Sequence, residues 1–162
     1  MLTDIIKPSA ISCSLVTDLT TKLYLNGSVS TAEVLTTLDS VTLPEGTFYE
    51  DGDCMDFEYC GTFAGDSDTQ VYVYFGTDAI FDSGIIDPAN ESFTIRGRMT
   101  RTGPTTQYTI STLLTSTLNV VKLNSTTITF GPEIALEFKG IGTSGGAVDL
   151  RAAFRRFYFQ QR

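Results

Sequence analysis

Histidine and tryptophan are both missing from the 162 residues, and cysteine occurs only three times. Without histidine there is no Ser-His-Asp or Cys-His arrangement, the commonest general base is gone, and most transition-metal sites lose a ligand. Cys13, Cys54 and Cys60 are odd in number, have no CxxC spacing, and are far too sparse for a disulfide scaffold. Cys54 and Cys60 sit at the two ends of CMDFEYC. Read as one strand, that segment holds their Cα atoms roughly 20 Å apart, against the ~4.4–6.8 Å a disulfide needs. Free thiols are therefore expected. Apolar runs fall far short of the ~20 residues that cross a bilayer as a helix. The opening MLTDIIKPSAIS has an early acidic residue, no basic start and no apolar h-region, so it does not read as a signal peptide. The expectation is a protein made in, and kept by, the cytoplasm of its cell until lysis.

Basic residues are also scarce where the chain begins. Residues 1–90 hold two, Lys7 and Lys22, against fifteen Asp and Glu, whereas residues 91–162 hold nine against four. The net charge of −8 argues against nucleic acid, whose phosphates need a basic face. The asymmetry reads either as solvated strand faces or as an acidic part of one subunit meeting a basic part of another. No GxxxxGK[ST], GxGxxG or GxSxG motif occurs. Gly140 to Gly146, GIGTSGG, lacks the Lys and the helix of a phosphate cradle and reads as a hairpin loop. Helix signals are few.

Strand chemistry is what remains. Hydrophobic residues reach 41%, enough for one core in a chain of this length. Met55, Phe57, Tyr59 and Phe63 alternate with Asp56, Glu58 and Thr62, which describes a strand with one wet face. TQVYVYF is apolar on both parities and is expected to be central in a sheet or covered on both sides. Phe93, Ile95, Gly97 and Met99 alternate with Thr94, Arg96, Arg98 and Thr100, and a turn is expected at Arg101-Thr102-Gly103-Pro104. TQYTISTLL, LNVVKL, TTITF and IALEFKG follow, separated by Gly, Pro, Asn or Ser. Short, evenly spaced strands of this kind predict a sandwich or barrel. In the last strand Val148, Leu150, Ala152 and Phe154 share one parity, and Phe157 and Phe159 share the other, so a bulge is expected near Arg155-Arg156. Residues 1–40 read as an arm, with KLYLNG a candidate strand and TAEVLTTLDS a candidate short helix. Residues 41–162 read as the sandwich.

Few residues offer chemistry. Asp56 and Glu58 share a strand face at about 7 Å by rise, a spacing open to a two-carboxylate glycosidase site. Such a site needs a cleft, and the chain has no Trp to stack a sugar. Asp51 with Asp53, or Asp66 with Asp68, could offer oxygen ligands to Ca2+, but neither matches a known calcium loop and both read better as solvated turns. No catalytic residue, cofactor or metal site is expected. Arg96, Arg98 and Arg101 form a basic stripe that reads as a wet face paired across the sheet or as a subunit interface, with Arg155 and Arg156 as further interface candidates. Tyr72 and Tyr74 read as core or interface.

Three strings carry a resemblance: GDCMDFEYCGTFAGDSDTQVYVYFGTDAIFDSG, ESFTIRGRMTRTGPTTQ and IALEFKGIGTSGGAVDLRAAFRRF. Their order of turns and strands (Gly52-Asp53, Gly61 to Ala64, Tyr74 to Gly76, Ile80 to Gly84, Arg101 to Gln107, Gly140 to Gly146) resembles a jelly-roll domain of tailed-bacteriophage virion proteins. The likeness covers about two-thirds of the chain and transfers no catalytic residue, because the matching positions are turns and core. It implies a jelly-roll β-sandwich at a particle surface, commonly trimeric. The expected role is a capsid decoration (cement) protein that is not an enzyme and that binds copies of itself and the major capsid protein or other virion proteins. The alternative is a tail or head-fibre appendage that binds a host receptor or glycan.

Overall fold

The computed structural model describes residues 15–19, 23–24, 34–63, 68–87, 90–130, 133–142 and 150–160. Two antiparallel sheets pack face to face. The larger runs β1 (Leu15–Leu19), β11 (Leu150–Gln160), β4 (Cys54–Phe63), β7 (Ser92–Gly103), β8 (Thr106–Leu114), β9 (Asn119–Asn124), and β2 (Leu23–Tyr24) also pairs with β11. The smaller runs β3 (Thr36–Leu43), β10 (Ile134–Gly142), β5 (Thr69–Phe75), β6 (Asp78–Asp82). The chain crosses repeatedly between sheets, and early strands pair with late ones: β1 with β11, β3 with β10, β4 with β11. That wrapped connectivity is a jelly roll. The β8–β9 hairpin is an addition to it, inserted between β7 and β10 and extending the larger sheet.

Side-chain alternation fills the space between the sheets. Met55, Phe57, Tyr59 and Phe63 from β4 meet Val71, Val73 and Phe75 from β5 and Leu136 and Phe138 from β10 in one buried cluster. Tyr59 stacks on Phe138 at 4.8 Å between centroids, and Phe157 closes on it edge-on at 5.7 Å. Phe48 reaches in from the loop after β3 to touch Phe75, Phe130 and Phe159. Gly97 holds an inward position of β7, where a Cβ would overlap the Phe57 ring and lie 2.7 Å from Ser111 Oγ. The space that alternation assigns to its side chain belongs to Phe57.

Several expectations change. TAEVLTTLDS is not helical where described: Thr36 onward is β3, and the division at residue 40 falls inside that strand. Three threonines and Val41 favour the pleated form, and pairing with β10 fixes it. The bulge in β11 exists, but at Ala153, two residues earlier than expected. TTITF contributes only a single bridge, Thr127 to Thr106. β7 runs on to Gly103, so its turn is shorter than expected. β5 is interior, between β10 and β6, but Tyr72 and Tyr74 on its outer side are only half-buried. Cys54 and Cys60 both lie on β4 and neither is in a disulfide. Cys13, Asp66 and residues 143–146 of the Gly-rich loop lie outside the described residues.

Candidate functional site: the outer face of the larger sheet

The charge asymmetry of the sequence is resolved within this sheet. β4 comes from the acidic half and both its neighbours, β7 and β11, come from the basic half. Register sets Asp56 opposite Arg98 and Glu58 opposite Arg96 on one side, and Arg156 opposite Glu58 on the other. Arg98 clasps Asp56 with two hydrogen bonds of 2.6 Å, donated by Nε and Nη2. Arg96 Nη2 lies 2.8 Å from Glu58 Oε1, and Arg156 Nη1 lies 3.8 Å from Glu58 Oε2. The hydrogen bond that Arg96 donates to Glu58, and then the Glu58 charge, raise the Arg96 pKa, and Asp56 does the same to Arg98. These pairs are wet: Arg96 and Arg98 side chains are 66% and 54% exposed, so solvent screens them and they add little to stability. Arg98 with Asp56 and Arg96 with Glu58 neutralise the part of the face over β4 and β7, and Arg156 beside them leaves one positive charge in excess.

The other two arginines expected at the interface are engaged inside the fold. Alternation would have sent Arg156 inward and Arg155 out, but the bulge at Ala153 reverses this. Arg155 turns toward the small sheet and donates from Nη1 to both Asp39 carboxylate oxygens at 2.6 Å. At 14% and 9% side-chain exposure, this pair ties β11 to β3. Arg101 donates from Nη1 to the Phe48 and Tyr49 carbonyls at 2.8 and 2.5 Å, from Nε to the Gly103 carbonyl at 3.2 Å, and lies over the Phe130 ring. It pins the loop between β3 and β4. Of the five arginines, Arg96, Arg98 and Arg156 keep exposed side chains on the outer face of this sheet.

An apolar patch adjoins the ladder, and the sequence reading missed it. Tyr108, Ile110 and Leu114 of β8 and Val121 and Leu123 of β9 point to the same side and are all exposed. The signal was present: LNVVKL and TQYTISTLL carry apolar residues on both parities, yet an edge hairpin has only one face to bury. Between patch and ladder, a shallow open trough of about 430 Å³ is lined by Asp56, Glu58, Arg96, Arg98, Ile110, Thr112 and Tyr158.

Of the carboxylates considered for chemistry, Asp51, Asp53, Asp56 and Glu58 are otherwise engaged. Asp56 and Glu58 are ion-paired on an open face. Asp53 is buried and accepts hydrogen bonds from the Tyr49 and Glu50 amides at 2.7 and 2.8 Å, closing the loop onto itself, and Asp51 lies 3.2 Å from Arg101 Nε. Among the described residues no group of three or more Cys, Asp or Glu side chains is placed to hold a metal ion, and no helix is long and apolar enough to cross a membrane. A second pocket, about 280 Å³, lies under the loop between β3 and β4 with Phe48, Phe75 and Phe130 in its wall and Arg101 at its edge. No protein-family model matches the chain, and no curated protein matches it.

Proposed function

We propose that this chain is a structural, non-enzymatic component of a tailed-bacteriophage particle, a jelly roll that decorates the capsid and binds copies of itself and the shell. One observation carries the reading. The hairpin added to the jelly roll places five exposed apolar side chains beside a charge-neutralised ladder on a broad, open sheet face. The largest apolar patch on a protein surface often marks a binding site, and its shape suits a flat protein surface better than a small substrate. The resemblance in the turn and strand strings supplies the particle type. Burial at about 25 cal/mol per Å² of apolar area, repeated by each copy in an oligomer, gives avidity to a cement. A receptor- or glycan-binding appendage would call for clustered surface aromatics. The exposed aromatic side chains among the described residues, Tyr49 and Tyr108, sit on different elements.

Immunogold labelling of intact particles tests the reading. Label spread over the head is expected. Label confined to the tail tip selects the appendage alternative, and particles that lack the chain would overturn both.

A further inference from the structure

Position within the hairpin orders the exposed apolar residues. Pairing sets Ile110 against Leu123, Thr112 against Val121 and Leu114 against Asn119. The same levels continue across the sheet: Ile110 to Arg98 to Asp56, and Thr112 to Arg96 to Glu58. Val121 and Leu123 on the edge strand are the most exposed of the patch, at 60% and 64%. The face therefore has an apolar ridge on β9 and a trough over β7 and β4, one on each side of β8.

We propose that this face is an isologous interface on which a second copy of this chain packs, the β9 ridge of each copy seated in the trough of the other. This deepens the assembly role proposed above and rests on it only in requiring that copies meet. Three observations select the occupant. First, ridge and trough are exchanged by a two-fold axis laid along β8. Rotation about that axis preserves height along the strands, so Leu123 of one copy meets the Arg98–Asp56 pair of the other and Val121 meets Arg96–Glu58. Ile110 faces its own counterpart, within the roughly 30° misalignment usual for packed sheets. Such self-complementarity is what a two-fold contact demands and what an unrelated partner does not.

Second, charge permits it. Asp56 and Glu58 balance Arg96 and Arg98, so the trough presents neutral pairs and arginine hydrocarbon stems to an apolar ridge rather than a field that would repel an identical face. The same neutrality, in a chain of net charge −8, disfavours a phosphate-rich nucleic acid or lipid surface. Third, the area suffices. From their exposed fractions the five apolar residues present on the order of 500 Å², and the arginine stems and trough walls bring each copy toward the roughly 800 Å² per partner of a stable interface. Because ridge and trough lie on one face, the smallest closed form is a pair. The three-fold ring implied by the resemblance would need them on two different faces of the molecule.

Sedimentation velocity of the full chain and three variants tests this: Leu123→Lys, Val121→Lys, and Ile85→Lys as an exposed apolar control on the far loop. All three positions substituted are on the surface, and matching thermal melts check the fold. The expected result is a wild-type pair, weakened roughly tenfold or more by each β9 variant and unchanged by Ile85→Lys. A wild-type oligomer indifferent to both β9 variants would overturn this face and leave the assembly reading standing. A chain monomeric at every concentration would overturn both the pairing and self-assembly, giving the face to another partner that particle labelling would still reveal.

Discussion

Tyr59 gives the sharpest test of how well the core is understood. Its side chain is 1% exposed, its ring is held between Phe138 and Phe157, and its hydroxyl has no hydrogen-bond partner among the described residues. An unsatisfied buried hydroxyl costs about 1–3 kcal/mol. Tyr59→Phe removes the cost and keeps both ring contacts, so the variant is expected to be more stable by about 1 kcal/mol or more. In a domain of this size each kcal/mol raises Tm by about 2–4 °C, within reach of calorimetry. The pH dependence offers a second readout. Burial, and then the nearby Asp39 charge, push the phenol well above its ordinary pKa of 10.0. A raised folded-state pKa means the stability it carries is complete below pH ~10 and falls as pH rises above that, because only the unfolded chain then releases the proton. The wild type is therefore expected to lose stability in alkali faster than Tyr59→Phe does. A variant less stable than wild type by more than 1 kcal/mol, or two identical alkaline limbs, would refute the burial of this hydroxyl.

Other expectations follow from single contacts. Gly97→Ala forces a Cβ into the Phe57 ring and is expected to lose about 1–3 kcal/mol in urea unfolding, partly recovered by adding Phe57→Leu. Asp39→Ala strands the Arg155 guanidinium at 14% exposure and is expected to cost about 3–5 kcal/mol, with a double replacement by apolar residues costing less. Glu91 is held at a pKa of about 2 by hydrogen bonds, first from Thr115 and then from Ser116 and Thr117. Its carboxyl carbon in an NMR titration is expected to stay in the ionised position well below pH 4, and any stability it lends persists above its usual pKa and fades as pH falls toward 2.

What could be read from the chain alone was local and periodic. The strands of residues 54–63 and 92–103 were plain because each alternates large apolar side chains with polar ones, and the core is built from those parities. In residues 106–114, by contrast, the buried parity is Gln107, Thr109, Ser111 and Leu113, and the apolar Tyr108, Ile110 and Leu114 face out. The segment at 31–40 misled because Ala32, Leu35 and Leu38 keep helical spacing. In the fold, Leu38 is the extra residue of a bulge against Phe138 and Lys139 and is buried, while Leu35 precedes β3 and is exposed, so the spacing does not trace one buried face. Arg155 misled in the same way, since one extra residue at Ala153 turned it from the surface to Asp39. Bulges are decided by partners distant in sequence, which a single strand does not reveal. Strand order was equally hidden, although the spacing of Asp56 and Glu58 matches that of Arg98 and Arg96 and carried the one legible trace of β4 beside β7. The apolar patch was overlooked because its residues look like core until β8 and β9 prove to have only one covered face.

Light scattering on the unmodified chain over a hundredfold range of concentration addresses the central claim most directly, that the uncovered face of the larger sheet exists to meet another protein surface. The account predicts a mass that climbs from one chain toward two as concentration rises. A mass fixed at one chain throughout, with no particle that binds it, would contradict it.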